Sequence, residues 1–443
     1  MCDILFCFDT EDFTSNEAAD AIRNLALLLE SEDIRGNFCV VGLLARQLTA
    51  WGREDVKAAL RSHEIQYHTY GHSLHPMINE YTDKADYLSA RREFLLRESE
   101  GLVMLREHLG TERVFCAVPP GNSKSYAAMY GYAEWGIPAY CDTVLDDPDG
   151  GLYFCNALHM QYLISLESLF YDGSKTIPEL LDWLRGRRRA ILYTHPNRVL
   201  FEEFWDVVNY DKENLVPFGQ WKPCRRESPE RVAYYYDSFR TLIRAMKADG
   251  GFQFRTVGDI VAEEAAAPAR AVRRSDCPNL LAALKDGLRP LRNPCPLSVA
   301  EVFAAAAAFF LDDKVDCFTP GPAYGFLEEP MGIDKPCVIP TAELWKAVSL
   351  VETGTFLPSW LWVGGVRLGP ADALIAMLTA LSEAVPPAEV HLMPRAQQLD
   401  LDRYPQLRDL RLRGTWRHSD AFEDRWLSDR LRLQAWTIRN VNG

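Results

Sequence analysis

The chain has 443 residues, more than one average core accommodates, and this points to two domains. Hydrophobic residues at 48% and charged residues at 25% exclude a disordered chain. The net charge of −14, from 48 basic against 62 acidic side chains, excludes a nucleic-acid surface, because no basic excess remains to displace phosphate counterions.

Eleven cysteines, an odd number with no CxxC pair, point to free thiols in a reducing compartment. The start MCDILFCFD lacks a basic segment followed by an apolar stretch and a small-residue cleavage site. No run of about 18 apolar residues occurs either. A cytoplasmic protein without a membrane span is therefore expected.

From the first residue, β-rich runs alternate with helical patterns. DILFCF (3–8) precedes the amphipathic EAADAIRNLALLLES (17–31), and GNFCVVG (36–42) reads as a buried strand. EIQY (64–67), RVFCAV (113–118), PAYC (138–141) and AILYT (190–194) continue the series, with a long helix predicted over 84–109. The runs are apolar on both faces, as strands of a covered parallel sheet are, so the fold class is α/β. GGFQFRTVGDIVAEE closes this domain, predicted to span 1–264. The alanine-rich, basic stretch that follows is read as a linker over 265–294. Helical patterns at 299–311, 341–351 and 371–384 then predict a second, mainly helical domain over 295–443.

The polar clusters of the first domain all follow strands. Asp9, Glu11 and Asp12 follow DILFCF; His68 and His72 follow EIQY; Pro119 and Gly121 follow RVFCAV; Asp142 follows PAYC; His195 follows AILYT, with Arg198 three residues on. In parallel α/β architectures the loops at the carboxyl ends of strands open on one face, where sites form. Each cluster alone has a plainer reading. A histidine pair four apart arises by chance on helices, the acids could cap a helix, His195 could be a satisfied core histidine, and Asp142 could begin a turn. Together they carry a chemistry. Two neutral imidazoles and a carboxylate make a three-ligand site for a catalytic divalent metal. A second carboxylate can take a proton from a polarised water, and a histidine on the opposite wall can protonate a leaving group.

These motifs, in this order, resemble the polysaccharide deacetylases with a NodB-homology domain, carbohydrate esterase family four. FDTED is similar to the first motif in a variant form, HTYGH to the H-[ST]-x-x-H metal motif, VPPG to R-x-P-x-G and ILYTHP to the final L-x-x-H motif. The resemblance covers about residues 1–264. It implies a distorted (β/α)7 barrel, Asp9 as general base, His195 as general acid, and a divalent ion, with zinc the expected one, held by His68, His72 and an acid after Asp9. That acid is Glu11 if the strand continues past Asp9, or Asp12 if a turn begins at Thr10. Pro119, Gly121, Asp142 and Arg198 are expected to contact substrate, and His75 to lie outside the metal shell or at the surface. One position departs from the pattern: Ala117 stands where the family carries the arginine that holds the base, and Arg198 is the candidate substitute.

The expected function is removal of an acyl group from an N-acylated amino sugar or polysaccharide. One alternative is hydrolysis of a small non-peptide amide, as in the allantoinase-like branch of the superfamily. A catalytically degenerate carbohydrate-binding or scaffold protein is another. In the second domain PSWLWVGGVRLG faintly resembles pseudomurein-binding-type repeats, and Trp345, Trp360 and Trp362 either form a sugar-stacking platform or pack a core.

Overall fold

The computed structural model describes residues 1–443 except 122, 142–144, 146–149, 211–216, 218, 353, 413–417 and 443. The chain divides into two compact units. Residues 1–151, 159–265 and 411–427 form the first, and residues 152–158, 266–410 and 428–443 the second.

The first unit is built on strands β1 (Cys2–Thr10), β2 (Asn37–Val40), β3 (Glu64–Tyr67), β4 (Cys116–Ala117), β5 (Ala139–Cys141), β6 (Tyr162–Ser165), β7 (Arg189–Thr194) and β8 (Phe252–Phe254). They run in the order β5-β4-β3-β2-β1-β7-β6, with β8 pairing the first residues of β1. Every one of these pairings is parallel. Helices Ala18–Ser31, Tyr87–Leu109, Ile177–Arg185 and Pro229–Asp249 are among those that cover the strands. The result is a distorted, partly open (β/α) barrel.

Alternation along β1 fixes which side chains enter the barrel. Phe6 and Phe8 face outward onto Phe239 of helix Pro229–Asp249, at ring-centroid distances of 5.0 and 6.3 Å, and Phe8 stacks on Phe38 of β2 at 4.5 Å. The two-residue period therefore turns Cys7 and Asp9 to the other face. On β3, Tyr67 faces outward, where its hydroxyl donates to Glu98 of helix Tyr87–Leu109 at 2.7 Å. That orientation leaves His68 on the inner side.

The second unit is mainly helical. Helices Cys277–Leu284, Val299–Leu311, Thr341–Val348 and Pro370–Ser382 carry its apolar residues, and short antiparallel strand pairs accompany them. Ser298 and Glu301 form a capping box that starts the Val299–Leu311 helix. The predicted linker over 265–294 is corrected: it contains helix Cys277–Leu284, whose Cys277, Leu280 and Leu284 are buried. Those three residues share one helical face, an apolar spacing masked by the alanine- and arginine-rich composition just before it.

All eleven cysteines are free. Among the described residues no helix is long and apolar enough to cross a membrane. Trp345, Trp360 and Trp362 are exposed, and the last two meet edge to face at 5.7 Å.

Candidate active site

Three buried side chains from two loops at the carboxyl ends of the strands converge. A carboxylate oxygen of Glu11 and the Nε2 atoms of His68 and His72 meet, with Glu11 Oε2 2.7 Å from His72 and 3.4 Å from His68. These are the atoms of the single group, among the described residues, whose ligand atoms lie within 4.8 Å of one another in the manner of a metal site. The two histidines are not on a helix. β3 ends at Tyr67 and the next helix begins at Ile78, and the intervening loop bends through positive φ at Thr69 (69°) and His72 (54°). The bend is held by the His72 N–H, which donates to Thr69 Oγ1 at 3.0 Å.

Each histidine has an outer partner at its Nδ1. His68 Nδ1 faces the carbonyl of Val118, which can only accept, so Nδ1 carries a proton and Nε2 is the nitrogen turned toward Glu11. His72 Nδ1 lies 3.1 Å from Ser73 Oγ and 3.5 Å from the carboxylate of buried Asp206. Two imidazole nitrogens and a carboxylate oxygen are drawn together at these distances by a proton or a cation among them. Burial would raise the Glu11 pKa, but His72 and His68 overcome it and hold the carboxyl well below its usual range. The donor set, two imidazole nitrogens and one carboxylate with their outer groups tied down, suits a divalent transition ion.

Asp9 and His195 stand beside this group, His195 Nε2 lying 3.6 Å from Asp9 Oδ2. Tyr162 of β6 donates to the other oxygen of Asp9 at 2.8 Å. His195 is anchored by Glu167: its Nδ1 lies 3.1 Å from Glu167 Oε1, and its backbone N–H donates to the same oxygen. Ser165 and Thr194 also donate to Glu167, at 2.7 and 2.9 Å. Burial alone would lower the His195 pKa, but the Glu167, Glu11 and Asp9 carboxylates push it up to about 9. Phe204 packs edge-on against His195 at 5.0 Å, and Trp205 donates its indole N–H to Glu11 Oε1 at 3.1 Å.

Other expected site residues fall elsewhere. Asp12 is not part of the metal-type group, because β1 continues to Thr10 and places Glu11 there. Asp12 Oδ1 instead accepts from Thr14 N, Thr14 Oγ1 and Ser15 N at 2.8, 2.7 and 3.1 Å, and burial pushes its carboxyl up to about 6. Arg198 does not reach Asp9: its Nε donates to the Phe201 carbonyl at 3.2 Å and its guanidinium lies over Phe204. The short helix Pro196–Leu200 after His195 directs it along that aromatic ring. Pro119 is buried and Gly121 is exposed at φ 53°, while the neighbouring Val118 carbonyl is the group that touches the site. His75 pairs with Glu80 at 2.7 Å, outside the group. Asp142 lies outside the described residues.

No family profile and no curated protein matches the chain. Solved structures of carbohydrate esterase family 4 are similar to it. A Bacillus anthracis CE4 family pseudoenzyme matches at 12% identity and TM-score 0.34, over 58% of this chain and 64% of that one. A Streptococcus mutans CE4 esterase matches at 13% identity and TM-score 0.34, over 57% and 84%. A Streptomyces lividans family 4 carbohydrate esterase in complex with acetate matches at 10% identity and TM-score 0.31, over 57% and 90%. The chain thus spans less than two-thirds of the length of the first of these relatives.

Sequence reasoning missed Tyr162, Glu167, Trp205 and Asp206. Glu167 carried a usable signal: it follows a serine N-cap at the end of a β-rich run, in the same position relative to its strand as the other polar clusters.

Proposed function

We propose that this chain is a metal-dependent hydrolase that removes the acyl group from an N-acylated amino sugar. The observation that carries the reading is the buried Glu11, His68 and His72 group with Asp9 and His195 directly beside it. Glu11, His68 and His72 would hold the ion, with Val118, Ser73, Asp206 and Trp205 orienting them. A divalent ion bound there polarises the amide carbonyl and makes water more acidic. Asp9, through the oxygen not taken by Tyr162, accepts the proton of the attacking water. His195, kept protonated by Glu167, donates a proton to the departing amine nitrogen.

The test pairs elemental analysis of the purified protein with assays of acetate release from N-acetylglucosamine oligomers and of hydrolysis of soluble small amides. One divalent ion per chain, with His68→Ala and His72→Ala losing ion and activity together, is the expected result. Preference for small amides would reassign the substrate to the alternative branch, and bound metal with no hydrolysis would point to the degenerate alternative. No ion and full activity in both variants would overturn the site.

A further inference from the structure

At the opposite end of the parallel strands, where residues precede rather than follow β3 and β4, lies a second concave site. It is a cavity of about 300 Å³ lined by Arg35, Lys57, Arg61 and Arg113, with Glu64 and Thr111 among its other walls. These cations come from separate segments: the loop before β2, the helix Glu54–Leu60 and its end, and the loop before β4. Among the described residues neither Arg61 nor Arg113 has an ion-pair partner. The Arg113 guanidinium is held over the Phe115 ring at 4.6 Å. Glu64, the acid closest to Arg35 at 3.8 Å, is turned inward and accepts from Thr256 Oγ1, Gly258 N and Gln66 Nε2 at 2.7, 2.9 and 3.0 Å. His63, in the same wall, has both ring nitrogens engaged by the Gly36 N–H and the Ala26 carbonyl, so it is neutral. Thr111 Oγ1 is buried with no partner among the described residues.

Cations at helix C-termini are common because they offset the helix dipole, and this accounts for Lys57 and Arg61 taken singly but not for Arg113, four residues past the end of helix Tyr87–Leu109. Arg35 is offset by Glu64 and Lys57 by Glu54 at 2.8 Å, and Glu112 also lines the wall, so Arg61 and Arg113 are the two charges that no acid pairs among the described residues, in a chain of net charge −14. Their mutual repulsion is relieved by a multiply charged anion. Guanidinium forks match the oxygen spacing of a tetrahedral phosphate, and the cavity has room for a second phosphoryl or a small body attached to the first. We propose that this cavity binds a small phosphate-bearing anion, a phosphate ester or diphosphate, gripped by Arg61 and Arg113.

Isothermal titration of the full chain with sodium pyrophosphate, inorganic phosphate and sodium sulfate at fixed ionic strength tests this. Three proteins are compared: the natural chain, the Arg61→Gln/Arg113→Gln double variant, and His68→Ala, in which the metal-type group at the other end is broken. One saturable event is expected for a phosphate ligand in the natural chain and in His68→Ala, weakened at least about tenfold in the double variant. Tighter pyrophosphate than phosphate would assign a diphosphate, and equal affinities a monoester. Unchanged melting of the double variant is the folding control, since both arginines are exposed. The proposal is overturned by no saturable binding up to about 10 mM, by sulfate binding as tightly as phosphate, or by binding that is lost in His68→Ala and kept in the double variant.

Discussion

Tyr162 donates its hydroxyl to Asp9 Oδ1 at 2.8 Å, and this hydrogen bond stands where a cation was expected. Ala117 has no side chain to reach the carboxylate, and Arg198 is directed elsewhere. The phenol is set up for the contact. Its ring stacks on Tyr193 at 4.6 Å, and β6 carries a register irregularity against β7 between Tyr162 and Ile164, a device that re-aims side chains next to sites. Burial, reinforced by Asp9, raises the Tyr162 pKa well above its ordinary value, so the hydroxyl stays a donor. A hydrogen bond to a charged group contributes about 1.5 to 3 kcal/mol. In the proposed reaction Tyr162→Phe therefore lowers kcat roughly tenfold or more, leaving KM and metal content unchanged. Steady-state kinetics with elemental analysis checks this, and an unchanged kcat in a variant that still needs Asp9 would remove Tyr162 from the positioning role.

Trp205 and Asp206 are adjacent in sequence and reach two different members of the same group, Glu11 and His72. Losing such an orienting partner typically costs 10- to 100-fold in metal affinity, an order-of-magnitude guide from other metal sites. Trp205→Phe keeps an aromatic ring against Phe13 but removes the N–H, so chelator competition should show weaker zinc binding by about tenfold. Asp206→Asn should act in the same direction on His72. Zinc binding as tight as in the natural chain in both variants would mean that Glu11 and His72 are oriented without them.

What was legible in the sequence follows from locality. Asp9, Glu11, His68 and His195 each sit at or just beyond the end of an apolar run, and parallel topology brings those ends together regardless of the details of the barrel. The choice between Glu11 and Asp12 needed the length of β1, because one further residue of strand decides which acid faces inward. Tyr162 lies in MQYLIS, whose polar residues and register irregularity obscure the strand. Trp205 meets Glu11 across 194 residues of sequence, and no periodicity reports such a contact. The histidine pair follows its strand as the motif order implies, and a loop with two left-handed residues, not a helix, supplies its four-residue spacing.

Gly101, inside helix Tyr87–Leu109, presents two opposing effects. Alanine is favoured over glycine in a helix by about 1 kcal/mol. A Cβ at Gly101 would run into the Tyr67 ring, with Cε2 and Cζ both at 2.9 Å. Tyr67 cannot retreat, since it is buried and its hydroxyl is 2.9 Å from the Glu98 carbonyl and 2.7 Å from the Glu98 carboxylate. The backbone of Gly101 also meets Gly42, where a Cβ would lie 2.7 Å from the Gly101 Cα. Overpacking of this kind costs about 1 to 3 kcal/mol, so the clash should win and Gly101→Ala should destabilise the first unit. Urea denaturation would show a lower midpoint; a higher one would mean that the helix shifts to make room.

Glu167 and His195 form a pH-dependent pair in the site. In the metal-free protein His195 is pushed up to about 9 from its ordinary 6.5, burial being outweighed first by Glu167. A histidine with a raised pKa contributes stability that is fully present below pH 6.5 and is lost as the pH rises through about 9. Glu167→Gln removes the largest raising influence, so the His195 titration followed by NMR should move to clearly lower pH. Glu167 itself is held below its usual range because His195 outweighs its burial. Its contribution is present above its ordinary 4.5 and is lost as the pH falls through its folded value. The stability gap between the natural chain and Glu167→Gln should accordingly be widest between about pH 4.5 and 6.5 and close as the pH approaches 9. A gap that stays constant from pH 6.5 to 9, with His195 titrating unchanged, would show that another group keeps the imidazolium in place.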